Sequence, residues 1–322
     1  MFTEQSIAVL LSVLVSLVAS VTVAAAEGDT LGANIPDGFM IVEGDIIVPK
    51  DYTHTLSLTN YRSIQSWPEG VVPYEFDDGV SAANQTKMLN AMAELERVSS
   101  VQFVPWTSET DFLNIQAGSV NSSYVGRQGG RQEVNIASWD WRWIIVHELM
   151  HALGFWHEQS RPDRDGYIVI EWDNIEPGQG HNFQEQFWGA GHYGPYDFHS
   201  IMHYGQCAFS NCTPCCSTIT VLPPNQAMQT VIGQRTNFSR WDSLSVGFIY
   251  PREPNWQFLS VNAQPGLRFG TFFYPWLTLD EALLNTPTGG TLWIKDPGQF
   301  NAIGIYDKAM TIRAPQGATL GN

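Results

Sequence analysis

His147 to His157 reads HELMHALGFWH, with Glu158, Gln159, Ser160 and Arg161 directly behind it. If the segment from Trp141 is helical, His147 and His151 lie one turn apart on one face, about 6 Å along the axis, so both imidazoles can reach one ion. Glu148 then flanks that ion. His157 stands six residues past His151, where a continuing helix would carry it to the opposite face. The chain therefore has to turn between them. Gly154 is placed to take the left-handed conformation that ends a helix and swings His157 back toward the metal. Three neutral imidazoles plus one open position are the ligand set of a catalytic zinc, whereas structural zinc sites are usually closed by four protein ligands, often thiolates.

The five residues HELMH alone describe an ordinary solvated helix face equally well. The added glycine and third histidine complete the long metzincin signature, whose companion is a methionine turn, and SIMHYG from Ser200 to Gly205 supplies one. HELMHALGFWHEQSRPDRD from His147 and SIMHYG from Ser200 resemble the astacin family of zinc endopeptidases. The similarity extends to WPEGVVPYEF from Trp67, VGRQGG from Val125 and IGQR from Ile232, running to Tyr250. It covers most of residues 63–251 and leaves 252–322 outside.

The resemblance implies an α+β metzincin fold, a mixed sheet with two long helices above a mostly irregular lower half, followed here by a small β-rich C-terminal appendage. It implies one zinc per catalytic domain, held by His147, His151 and His157, with Glu148 as the general base for an attacking water. Tyr204 is implied as an additional zinc ligand that swings away on substrate binding and stabilises the oxyanion; a buried aromatic is its plain alternative. Met202 is expected as an apolar floor beneath the imidazoles. Glu158 either meets a new N-terminus after activation, as in relatives, or pairs with Arg161 or Arg164. Glu43, Gly44, Asp45 and Ile46 resemble the propeptide switch of the family, with Asp45 on zinc in the latent form; without the family, Gly-Asp is simply a turn. Family members also staple the catalytic domain with disulfides that this chain lacks; Asn121–Tyr124 and Ser138–Trp141 occupy regions where one pair usually sits.

A net charge of −16 over 322 residues argues against nucleic acid or an anionic membrane as partner; acidity alone names no substrate, and protein or peptide substrates are what the resemblance implies. Ile7 to Val23 is almost wholly apolar and ends in Ala24, Ala25 and Ala26, a secretory signal over 1–26 with a small-residue cleavage site. Its n-region carries Glu4 and no Lys or Arg, and the run is long enough for an uncleaved anchor as well. Cleavage would leave a secreted, extracellular product off the membrane, and Asn-x-Ser/Thr acceptors at Asn84, Asn121, Asn211 and Asn237 suit one. Cys207, Cys212, Cys215 and Cys216 should form two local disulfides of undetermined connectivity, a four-thiolate metal knot being the alternative. Residues 27–62 read as a propeptide and 63–251 as the catalytic domain. Activation requires a partner protease cutting between Asp45 and Trp67, where Lys50 and Arg62 are the basic residues.

Periodicity predicts a strand over Val71–Phe76, a helix from Ser81 to Val98 with a Met88, Met92, Leu95 stripe, and strands at Val101–Val104, Leu113–Gln116 and Glu133–Ala137. Tyr124–Gly130 reads either as a substrate-pairing edge or as a hairpin loop. Asp163–Gly166 reads as a salt-bridged turn rather than a calcium loop. Tyr167–Trp172 alternates, Asn182–Trp188 reads as helix, and Ser239 caps a closing helix to Tyr250. His181, His192, His199 and His203 have no ligand spacing. Beyond Pro251, Phe272–Leu279, Gly289–Asp296 and Met310–Pro315 read as strands, with a short helix at Thr278–Leu284. This tail resembles the opening rungs of a pectate-lyase-like parallel β-helix, either a truncated appendage or a glycan-contacting module. In the second case the protein would be a secreted carbohydrate-binding or carbohydrate-active protein.

Overall fold

A computed structural model describes residues 35–50, 66–186, 194–252, 255–262, 268–272, 274–304 and 306–321. The expected signal segment 1–26, Arg62 and His192 lie outside the described residues. Among the described residues no helix is long and apolar enough to cross a membrane.

Phe39–Val42 (β1) and Ile46–Pro49 (β2) form an antiparallel hairpin. Val71–Phe76 (β3) is the predicted strand, and Ala82–Val98 (α1) follows it, capped by the Ser81 hydroxyl, which accepts from Asn84 N. Gln102–Pro105 (β4), Phe112–Ala117 (β5), Ser122–Tyr124 (β6) and Arg131–Ile136 (β7) complete one sheet in the order β1-β2-β6-β7-β5-β3-β4. Its β4, β3, β5 and β7 run parallel and β6 antiparallel to β7. Arg142–Leu153 (α2) packs with α1 on this sheet: Met88, Met92 and Leu95 share one buried cluster with Ile145, Leu149, Ile115 and Ile136. The methionine stripe is core, as its helical spacing required.

Below it the lower half is mostly short turns around the antiparallel pair Ile168–Ile170 (β8) and Ile219–Val221 (β9). The loop before β8 is salt-bridged as expected, Arg161 to Asp163 at 2.8 Å and Arg164 to Asp165 at 3.1 Å. The four cysteines form Cys207–Cys215 and Cys212–Cys216, two local clips. The helix expected over Asn182–Trp188 is not seen across its described part: a single short turn spans Gly180–Phe183, and Gln184 is extended. The Gln186 N–H donates to Ser160 O at 2.7 Å, across the lower half instead of back along a helix.

Between the segments Asn121–Tyr124 and Ser138–Trp141, Asn121 makes a hydrogen-bonded clamp. Its Oδ1 accepts from Ala137 N and Ser138 N, both at 2.9 Å, and its Nδ2 donates to Ser138 Oγ at 3.0 Å. Asn121→Ala removes this clamp, whose backbone donors lie near solvent, and should lower stability by about 0.5–1.5 kcal/mol in urea unfolding, with zinc affinity unchanged.

Arg240–Ile249 (α3) starts at Ser239 in a capping box with Asp242. Beyond it come Trp256–Leu259 (β10), Leu279–Asn285 (α4), Thr291–Ile294 (β11), Gly298–Phe300 (β12), Thr311–Arg313 (β13) and Ala318–Leu320 (β14). β10, β11 and β13 pair in parallel, as do β12 and β14, the arrangement of stacked coils. Phe272–Leu279 is not the expected strand. Phe269 N donates to Tyr274 O, folding the chain back, and only an isolated bridge joins Trp276 to Leu259. The Phe272 ring instead enters an aromatic cluster with Phe248 of α3, Phe258 and Trp293, which seats the extension on the preceding domain.

Lys295 lies over the Phe272 ring at 3.9 Å, and burial lowers its pKa to about 8 against the opposing pull of Asp296. The unfolded chain then binds the proton more tightly between about pH 8 and the ordinary 10.5, so stability should rise across that window. Lys295→Met should abolish that rise, read as the difference in melting temperature between the two proteins from pH 7 to 10.5.

Candidate active site

α2 stops where Gly154 adopts φ 113°, ψ 14°, with its N–H on His151 O and Phe155 N on Met150 O. The returning chain brings His157 to the two helical histidines. His147 Nε2 stands 3.1 Å from His151 Nε2 and 3.2 Å from His157 Nε2, all three rings buried. Each ring is held from behind: His147 Nδ1 lies 2.7 Å from Ile201 O, His151 Nδ1 2.7 Å from Phe155 O, and His157 Nδ1 2.8 Å from Glu43 Oε2. A carbonyl or carboxylate only accepts, so the proton is assigned to Nδ1 and Nε2 carries a bare lone pair. Asp45 closes the group, with Oδ2 at 3.1 Å from His147 Nε2 and Oδ1 at 3.5 and 3.2 Å from those of His151 and His157.

Glu148 is 1% exposed beside them, and its Oε2 has no hydrogen-bond partner among the described residues. Burial, then the Asp45 carboxylate, push its pKa well above the usual range, while Arg235 pulls it back. Tyr204 sits with its ring centroid 4.7 Å from that of His157, its hydroxyl donating to Glu43 O. Met202 is buried in the upper core with Ile145, Leu149 and Ile201. Asp242 locks this turn, accepting from Ser200 Oγ at 2.7 Å and Ile201 N at 3.0 Å, so the carbonyl that holds His147 is itself held from α3.

The sequence pattern of the astacin peptidase family matches residues 59–251. The chain belongs to the astacin family of zinc metalloendopeptidases. Meprin A subunit beta of Mus musculus is 35% identical over 228 residues, covering 70% of this chain and 31% of the relative. High choriolytic enzyme 1 of Oryzias latipes is 35% identical over 218 residues, covering 66% of this chain and 78% of the relative. The solved structure of that enzyme, described as a hatching enzyme zinc-protease, superposes with TM-score 0.50 at 37% identity, covering 57% of this chain and 91% of that one. The chain spans about a third of the length of the meprin relatives and about half that of the astacin-like metalloendopeptidase of Mus musculus.

The residues present fit the zinc of the astacin family. Three lone pairs and a carboxylate oxygen, all within 4.8 Å of one another, repel unless a cation shares them. Nitrogen ligands of zinc stand about 2.0–2.1 Å from it in tetrahedral sites, which separates them by about 3.3 Å, close to the spacing seen. Asp45 Oδ1 is buried with no hydrogen-bond partner among the described residues, as a ligand oxygen should be. The charge balance agrees. Burial pulls all three imidazoles toward the neutral form that a cation requires, and only at His157 do the Asp45 and Glu43 carboxylates outweigh it.

The hairpin carrying Asp45 covers the sheet edge. β2 pairs in parallel with β6 at Ile46–Ser123 and Ile47–Tyr124, so the edge lies at Ser122–Tyr124, while 125–130 is the loop to β7. Gly44, with φ 76°, has no room for a side chain: a Cβ would meet Phe209 Cζ at 2.7 Å. Glu158 pairs with Arg161 at 3.0 Å, with Asp197 N at 2.7 Å on the same oxygen, while its reading as partner of a new N-terminus concerns the cut chain. His203 bonds Tyr196 Oη and Tyr204 O, and His181 lies near Gly178 O at the surface.

Sequence reasoning missed Arg235, Asp242, Gln186 and any part for Glu43. Arg235 was visible within IGQR, but its nearness to Glu148 depends on packing. Glu43 and His157 are 114 residues apart, and no spacing rule connects them.

Proposed function

We propose that this astacin is a secreted endopeptidase, acting on protein or peptide substrates, and that the structure is its latent form. The supporting observation is the Asp45 carboxylate seated on three imidazoles whose lone pairs converge. Residues 1–26 would be the signal, 27–62 the propeptide, 63–251 the catalytic domain and 252–322 an extension. An activating protease cuts between Asp45 and Trp67. The departing hairpin uncovers the ligand position, the β6 edge and the Tyr204 hydroxyl together.

When bound, zinc supplies Lewis acidity and brings the pKa of a ligated water to about 7. His147, His151 and His157 hold the ion, and Met202 and Asp242 keep the His147 support in place. Glu148 loses the repulsion of Asp45 on activation while Arg235 still favours its carboxylate, so it takes the proton of the attacking water and passes it to the departing amine. The freed β6 edge holds extended substrate by main-chain hydrogen bonds. Tyr204, released from Glu43 O, donates to the developing oxyanion; Tyr204→Phe should lower kcat by about 10²- to 10³-fold with little change in zinc content.

Cleavage of a quenched peptide library by the chain cut between Asp45 and Trp67, with chelator controls, tests this reading. Stoichiometric zinc without cleavage in the cut chain would remove it. A second reading, with the extension as a carbohydrate-binding module, rests on its parallel pairing; comparing casein with pectin as substrates separates the two.

A further inference from the structure

Glu43 is fully buried, and as a non-glycine residue it sits at φ 48°, a conformation retained only where its surroundings impose it. Both carboxylate oxygens are engaged. Oε2 accepts from His157 Nδ1 at 2.8 Å and Oε1 from Gln186 Nε2 at 2.6 Å. The supports of the three imidazoles are therefore unequal. Ile201 O behind His147 and Phe155 O behind His151 belong to the segment that activation leaves intact. The partner of His157 belongs to the hairpin that activation removes.

A carboxylate behind a ligating imidazole fixes its tautomer and raises the basicity of its metal-facing nitrogen more than a neutral carbonyl does. A buried carboxylate is in turn costly without a positive partner, and the Nδ1–H of an imidazole sharing its other lone pair with a cation is one. The two stabilisations are reciprocal. We propose that Glu43 is a positioning residue for zinc: while the pro-segment is in place it orients and strengthens His157, so the latent chain holds zinc more tightly than Asp45 alone accounts for. Activation then removes one ligand oxygen and one ligand support in the same step. This rests on the latency reading above for its biological sense, but its test does not.

The test uses the full uncut chain as wild type, Glu43→Ala, Glu43→Gln, Asp45→Asn and the Asp45→Asn/Glu43→Ala double variant. Zinc affinity is read by competition with a chromophoric chelator, the ligand field by absorption of the cobalt-loaded protein, and fold by melting of the metal-free form. Glu43→Ala should weaken zinc by about 10- to 100-fold and shift the cobalt bands. Glu43→Gln, which keeps an acceptor but not the charge, should fall between. Glu43→Ala should weaken zinc again on the Asp45→Asn background, because it acts through His157 and not by holding Asp45. Wild-type affinity in Glu43→Ala or Glu43→Gln, or no added loss in the double variant, overturns the proposal. Latency is judged separately: an uncut wild-type chain that cleaves peptide as fast as the chain cut between Asp45 and Trp67 ends that reading and leaves the zinc ladder to decide the role of Glu43.

Discussion

Replacing Glu148 by alanine in the activated chain should lower kcat/KM on a quenched peptide by about 10²- to 10⁴-fold, the usual contribution of a positioned general base, while zinc content stays at wild-type level. The two outcomes separate because Glu148 lies beside the imidazoles without being among the converging donors. Its Oε2 makes no hydrogen bond with any described residue, so the carboxylate is held by burial and left with a free acceptor. Removing a buried carboxylate that lacks a partner leaves no stranded donor, so the fold should not suffer. Glu148→Gln, which keeps the shape and loses the base, should fall as far. Activity within tenfold of wild type in either variant would take the proton-transfer role away from Glu148.

The second large effect has the opposite sign. In the uncut chain, Asp45→Asn should raise peptide cleavage by about 10- to 150-fold, corresponding to loss of one charge-assisted interaction of about 1.5–3 kcal/mol. It should still stay below the cut protein. The hairpin remains tied by the β2–β6 pairing, by Gln186 on Glu43, by Tyr204 on Glu43 O and by Gly44 N on Asn182 Oδ1 at 3.2 Å. Initial rates of uncut wild type, uncut Asp45→Asn and cut wild type on one substrate measure this directly. An unchanged rate in the variant would mean that the backbone ties alone confer latency.

The metal-binding half of this site was legible from spacing, because it is built from local geometry. His147 and His151 share a helix face by periodicity, and Gly154 ends that helix because few other residues tolerate φ 113°. α1, β3 and the capped α3 followed from side-chain alternation and caps of the same short range. The errors were also local readings, overruled by distant partners. Asn182–Trp188 looked helical until Gln186 found Ser160 and Glu43, and Phe272–Leu279 looked extended until Phe272 found Phe248 of α3.

By itself the sequence determined the family and fold class, through motifs spread over residues 63–251, and the zinc-binding histidines with Glu148 beside them, which lie within about three helical turns of one another. Only the tertiary structure decided that the Asp45 hairpin joins the main sheet over its edge, that Cys207 pairs with Cys215, that Asn121 clamps Ala137 and Ser138, and that Asp242 and Glu43 support the zinc ligands from behind. Apart from the local cysteine clip, those contacts join residues far apart in sequence that the packing of whole elements brings together, and the burial that drives packing is non-directional. It imposes a period on each element but does not state which element will meet which.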